Sequence, residues 1–147
     1  MTINAAAGNS WPPLEPGEIL LTDEDELVWR QVNPKFFDRG QVTEQAFQPT
    51  SDDPRRLSCS RESLQSAEGA FKHFTNDGYL SVGTFAVTVG EVTSAGSRAV
   101  DDSEVQTQSP PTPGHTFLDY RALDRNERRD LRDDLAFYAT SRGLIHP

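Results

Sequence analysis

Apolar residues in this chain come mostly in short alternating or continuous runs, and helical spacing sets in at only two places. Residues 27–32, LVWRQV, are rich in β-branched and aromatic side chains and stop at Asn33-Pro34, which predicts a buried strand. Residues 57–60 predict a second short strand. Residues 79–92 carry the clearest strand signal: Phe85, Val87 and Val89 alternate with Ala86, Thr88 and Gly90, so one face is apolar and the other small. A small-residue face leaves room for a ligand or an approaching backbone. Residues 98–100 and 104–108 predict weaker strands, the second at a sheet edge. Residues 115–120 predict another, with Phe117 and Leu118 buried.

The first helical pattern is Leu64, Ala67, Phe71 and Phe74, with Ser60 or Ser63 as the cap and Asn76-Asp77-Gly78 as the stop. Gly69 weakens it by ~1 kcal/mol relative to Ala. The second opens on a capping box, Asp124 with Glu127, and runs over about residues 125–142, with Leu131, Leu135, Tyr138 and Ala139 on one face. Gly143 ends it, and Leu144-Ile145 are expected to return to the core. Between these elements, Thr22 caps a short acidic turn and Phe36-Phe37 tuck a loop onto the core. Residues 38–40 turn, and residues 42–47 make a short strand bringing Phe47 inward. Residues 1–16, with Pro12, Pro13 and Pro16, read as a flexible, irregular arm in which Trp11 packs back onto the domain. The pattern therefore predicts one α+β domain over residues 17–147: a mostly antiparallel sheet with two principal helices and an irregular N-terminal arm.

Composition narrows the function classes. The 147 residues carry 23 acids against 14 bases, a net charge of −9, which argues against nucleic acid as the main partner because phosphate backbones need a basic face. Arg55-Arg56 and Arg128-Arg129 remain candidates for a local basic patch. The acidic surface suits a protein partner with a basic surface. One cysteine, Cys59, excludes an intrachain disulfide and a cysteine-based zinc site, and scattered histidines predict no metal. The N-terminus lacks a charged region followed by a long apolar run, and no run approaches a membrane span, so the expected location is cytoplasmic and no membrane is expected as a partner.

Few residues carry chemistry, and each has a structural alternative. Arg30 stands near the end of a buried-looking strand; it either binds an anion or pairs with an acid. Ser58 and Ser60 put two hydroxyls on one face of an extended segment, as a polar rim for a ribose or phosphate, or as helix caps. Cys59 lies on the opposite face, and acts as a nucleophile only if His115 or His73 reaches it. Glu91, after Gly90, is either a general base or ribose-holding carboxylate, or a solvated turn residue. Glu68 on the first helix is a second acid of that kind, and His115 follows a Pro/Gly loop into a strand. Phosphate-loop, dinucleotide-glycine and nucleophile-elbow motifs are absent from the sequence.

The order VWRQ, then GQVTEQAF, then LSCSRESLQSAEGAF, then later strands bringing an acid, resembles the ADP-ribosyltransferase-like fold, including its RES-domain relatives. The resemblance spans about half the chain. It implies that Arg30 and Ser58 or Ser60 hold NAD and that Glu91 or Glu68 is the acid supporting ribosyl transfer. The chain has no E-x-E or Q-x-E pair after its late strands and no GRWN element, and Cys59 stands where a hydroxyl residue is usual. The expected function is therefore an NAD-binding ADP-ribosyltransferase-like or NAD-consuming effector of the bacterial toxin-like kind, with NAD as cofactor, Arg30, Ser58, Ser60 and His115 binding it and Glu91 catalytic. The alternative is a non-catalytic acidic interaction module, an operon partner or immunity-type protein.

Overall fold

The structure, a computed structural model, describes residues 11–50, 55–105 and 112–147. It is an α+β fold. A six-stranded, wholly antiparallel sheet has the spatial order β1 (Ile19–Leu20), β7 (Ala99–Asp101), β8 (His115–Asp119), β5 (Arg56–Arg61), β2 (Leu27–Gln31) and β6 (Thr84–Thr88). A two-stranded ribbon, β3 (Phe37–Asp38) with β4 (Gln41–Val42), turns through Arg39 and Gly40. Both turn residues have positive φ, 53° and 80°, the geometry that matches the twist of a tight hairpin. Phe47 is fully buried, as expected, but a 3-10 turn over Glu44–Phe47 delivers it rather than a strand.

Helix α3 (Arg125–Arg142) covers one face of the sheet. Leu131, Leu135 and Ala139 are fully buried against Val28, Leu57, Phe85, Val87, Leu118 and Tyr120. Asp124 and Glu127 close the capping box in both directions, and Gly143 ends the helix at φ 88°. Helix α1 (Ala67–Asn76) lies on the other face, over β2 and β6, where Ala70 packs on Trp29 and Ala86. The small-residue face of β6 thus receives a helix, not a ligand.

Several boundaries differ from expectation. The α1 cap is Ser66, whose Oγ accepts from Gly69 N–H at 2.9 Å, so Leu64 stays in the preceding turn, 54 % exposed. The 79–92 segment is a strand only at 84–88, because Thr88 and Glu91 form a second capping box that starts a short helix, α2 (Val89–Ser94). Val105 lies in a turn, residues 106–108 of the predicted 104–108 strand lie outside the described residues, and β1 takes the sheet edge beside β7. Leu144 and Ile145 stay exposed; their segment instead bonds its backbone to Thr84 at the free edge of β6.

Charged groups lock the two ends of the sheet. Arg61 joins Glu26 (2.8 Å) to Asp101 (2.9 Å). At the opposite end, fully buried Asp119 accepts from Arg98 (3.0 Å) and Arg121 (2.9 Å). Arg98 stacks over the Trp11 ring and donates to the Pro12 carbonyl, so Trp11 is held against the domain; residues 1–10 lie outside the described residues. Among the described residues no helix is long and apolar enough to cross a membrane.

Candidate functional site

The two faces of the sheet are covered unequally. Helix α1 sits over β2 and β6, and a cleft of about 300 Å³ opens beside it over β2, β5 and β8. Register explains its floor. Trp29 pairs with Ser60 and Ser60 with His115, so one row across three strands carries these side chains. Arg61 N–H donates to the Gly114 carbonyl at 3.0 Å, which makes the neighbouring Ser60–His115 pair one of the non-hydrogen-bonded kind, with closely facing side chains. The wall on the helix side is His73, Phe74 and Asp77, with Tyr79 beyond the helix end. Phe74 and Tyr79 stack at 5.0 Å, and Tyr79 is 61 % exposed.

Arg30 occupies the point where the sheet comes apart. β2 pairs with β6 at five positions but with β5 only at Val28 and Trp29. Past Trp29 the strands separate, and the Arg30 side chain fills the gap: Nε donates to the Ala46 carbonyl and Nη1 to the Ser58 carbonyl, both at 2.8 Å. Arg30 has no carboxylate partner among the described residues, although it is half-buried. The expected alternative, a salt bridge, is not made. A guanidinium bonded only to neutral carbonyls keeps its full positive charge in the cleft lining.

His115 is held from behind. Its Nδ1 lies 2.5 Å from Asp102 Oδ1. That contact fixes the ring orientation from the Asp102 side and turns Nε2 away from the carboxylate. Across the cleft, His73 Nε2 meets the Thr112 hydroxyl at 3.1 Å and Asp77 at 3.6 Å.

The structure therefore gathers Arg30, Ser58, Ser60 and His115 at one concave site, together with His73. It places the predicted acids elsewhere. Glu91 is the third residue of α2; its carboxylate accepts from Thr88 N–H at 2.8 Å and pairs with Arg142 at 2.8 Å, away from the cleft lining. Burial pushes the Glu91 carboxyl up, but the bonds from Arg142 and Thr88 outweigh it and hold the group below its ordinary value. Glu91 thus ends no strand and is occupied as a cap. Glu68 points to solvent, 56 % exposed, and pairs with Lys72 one turn on. Among the described residues lining the cleft, Asp77 is the carboxylate. The T-x-x-E spacing of Thr88 and Glu91 was the sequence signal for the cap. Nothing in the sequence signalled Asp102, because its role depends on where β8 begins.

Cys59 points the other way along β5. Its side chain belongs to the core under α3, and burial pushes the thiol up to about 12, so no thiolate is available for attack. Among the described residues no group of three or more His, Cys, Asp or Glu side chains is placed to hold a metal ion. No protein-family model, curated protein or solved structure matches this chain.

Proposed function

We propose that the cleft binds a nucleotide-type ligand of the NAD class, with its charged portion toward Arg30 and a planar base against the Phe74–Tyr79 stack. The observation that carries this reading is Arg30: a half-buried guanidinium on a cleft, bonded to two carbonyls and to no carboxylate among the described residues. Ser58 and Ser60 supply hydroxyls of the kind a ribose would meet, and aromatic faces bind bases irrespective of sequence. A volume of about 300 Å³ is at the lower end for ligand pockets, so a dinucleotide would seat one half inside and lay the other along the open rim. If the site turns over NAD, His115 oriented by Asp102 is the general base and Asp77 the nearby acid, in place of Glu91.

Isothermal titration with NAD and with ADP-ribose tests this reading. Saturable binding by the wild type, weakened about tenfold in Tyr79→Ala, supports it. Arg30→Gln is expected to abolish binding but also removes two ties to neighbouring carbonyls, so Tyr79→Ala at the exposed rim decides the matter. Equal heats in the wild type and in Tyr79→Ala reject the cleft as the site. Asp102→Asn should leave the affinity for NAD unchanged and lower the rate of nicotinamide release.

The second reading is a non-catalytic module with a basic protein partner. Phe137 is 68 % exposed on α3 beside Asp133 and Asp134. Burial first, then the neighbouring Asp130 and Asp133, push Asp134 up, and a cationic surface would relieve the repulsion among these three acids. Absence of NAD binding together with a salt-sensitive complex lost in Phe137→Ser would favour this reading.

A further inference from the structure

A second cavity, separate from the cleft, lies against the N-terminal half of α3. It measures about 490 Å³ and is walled by Gln48, Pro49, Tyr120, Asn126 and four arginines, Arg125, Arg128, Arg129 and Arg132. The arginines sit at i, i+3, i+4 and i+7, so they form one stripe along the helix. That placement works against the helix. Like charges at these spacings repel, and the N-terminal turns carry the positive end of the helix dipole, where anions are favoured. In a chain of net charge −9, a third of the 12 arginines share this single cavity.

Their charge is only partly answered. Arg132 pairs with Glu44 at 2.6 Å. Arg128 donates to the Leu123 carbonyl at 2.7 Å. Arg129 reaches Asp130 only at 3.5 Å, with both side chains at least 60 % exposed. Arg125 has no hydrogen bond or ion pair among the described residues. Tyr120 is committed elsewhere, donating its hydroxyl to the Phe47 carbonyl. Four guanidiniums on one stripe thus share a cavity whose described lining includes no carboxylate, and only Arg132 has a close ion pair, with Glu44 outside it.

We propose that this cavity is an oxyanion site for the phosphate or pyrophosphate group of a small phosphorylated molecule. Guanidinium forks match phosphate oxygens in pairs, and an anion here would relieve both the repulsion within the stripe and the dipole mismatch at the helix start.

The test uses the full chain with inorganic pyrophosphate, which has no base for the Phe74–Tyr79 stack. Titration is followed by calorimetry and thermal shift, with orthophosphate and ADP as further arms. The wild type should bind pyrophosphate, with affinity falling as salt rises. Arg125→Gln with Arg129→Gln should weaken binding by about tenfold or more. The same double variant should melt no lower than the wild type without ligand, because repulsion has been removed. Lys35→Gln with Arg39→Gln, the same change of net charge outside the cavity, should bind as the wild type does. ADP no tighter than pyrophosphate identifies a free phosphate group as the ligand; ADP tighter identifies a phosphate ester whose organic part also contributes. No pyrophosphate binding at millimolar concentration, or equal losses in the two double variants, overturns the site. Tyr79→Ala acts on the cleft alone, so failure of the nucleotide reading and failure of this one are distinguishable.

Discussion

Asp119 shows how much one buried carboxylate can carry. It is wholly buried at the end of β8, and Arg98 and Arg121 both bond it. Burial pushes its carboxyl up, but the bonds from Arg121 and Arg98 outweigh it and hold the folded value below the ordinary one. A carboxyl depressed by folding contributes stability that is complete above its unfolded pKa and lost as pH falls through the folded value. Asp119→Asn should therefore cost about 3–5 kcal/mol near neutrality, the usual effect of breaking a buried pair. The gap between variant and wild type should narrow as pH drops below about 4, where the wild type begins to lose the same interaction. Urea unfolding at pH 7 and at pH 3 measures both. Cys59 gives a second test at this scale. Held in the core with its thiol raised to about 12, it should not react with a disulfide reagent at pH 8 until the chain is unfolded. Rapid labelling of the native protein would show that β5 opens locally.

Among the elements, α3 supports the largest claim. Its buried face is Leu131, Leu135, Ala136 and Ala139, and apart from exposed Phe137 its remaining surface is mostly charged or polar, so the helix has little reason to form without the sheet. Leu135→Ala should cost ~2–5 kcal/mol in urea unfolding. Arg132 is more than a plain surface residue: it is 21 % exposed and bonded to Glu44 in the 3-10 turn over Glu44–Phe47. A double-mutant cycle between Arg132 and Glu44 should return ~0.2–1 kcal/mol of coupling, the scale of a partly exposed pair. Zero coupling would detach the turn from the helix. In α1 the cap is the element's weak point. Ser66→Ala removes the hydroxyl that accepts from Gly69 N–H and should cost about 1 kcal/mol.

At the level of the whole molecule, the uneven cover of the sheet matters most. α3 seals one face, while α1 seals only the β2–β6 half of the other. Over β8 and β5 that second face is closed by other means: Phe117 is buried beneath the guanidiniums of Arg56 and Arg121, at 5.3 and 5.4 Å from the ring. The cleft is what remains between helix and sheet. Its polar lining follows from register, because Ser58 and Ser60 alternate away from Leu57 and Cys59, which the α3 side buries.

The sequence by itself determined the α+β class, the positions of β2, β5 and β8, and the whole of α3 with both its ends. Those are the features written in local pattern: period two with β-branched residues, period 3.6 with an apolar stripe, an acidic cap and a terminal glycine. It also picked out Arg30, Ser58, Ser60 and His115, since strand-end and alternating polar positions are visible in one dimension. Tertiary structure decided the rest. Glu91 looked like a strand-end acid until Thr88 turned the chain into α2 and Arg142, 51 residues away, took its carboxylate. Asp102 became the partner of His115 because β7 and β8 pair side by side and bring their ends together. Arg30 keeps its charge facing the cleft because β5 leaves β2 after two residue pairs, and where two strands part company is a property of the sheet, with no signature in either strand alone.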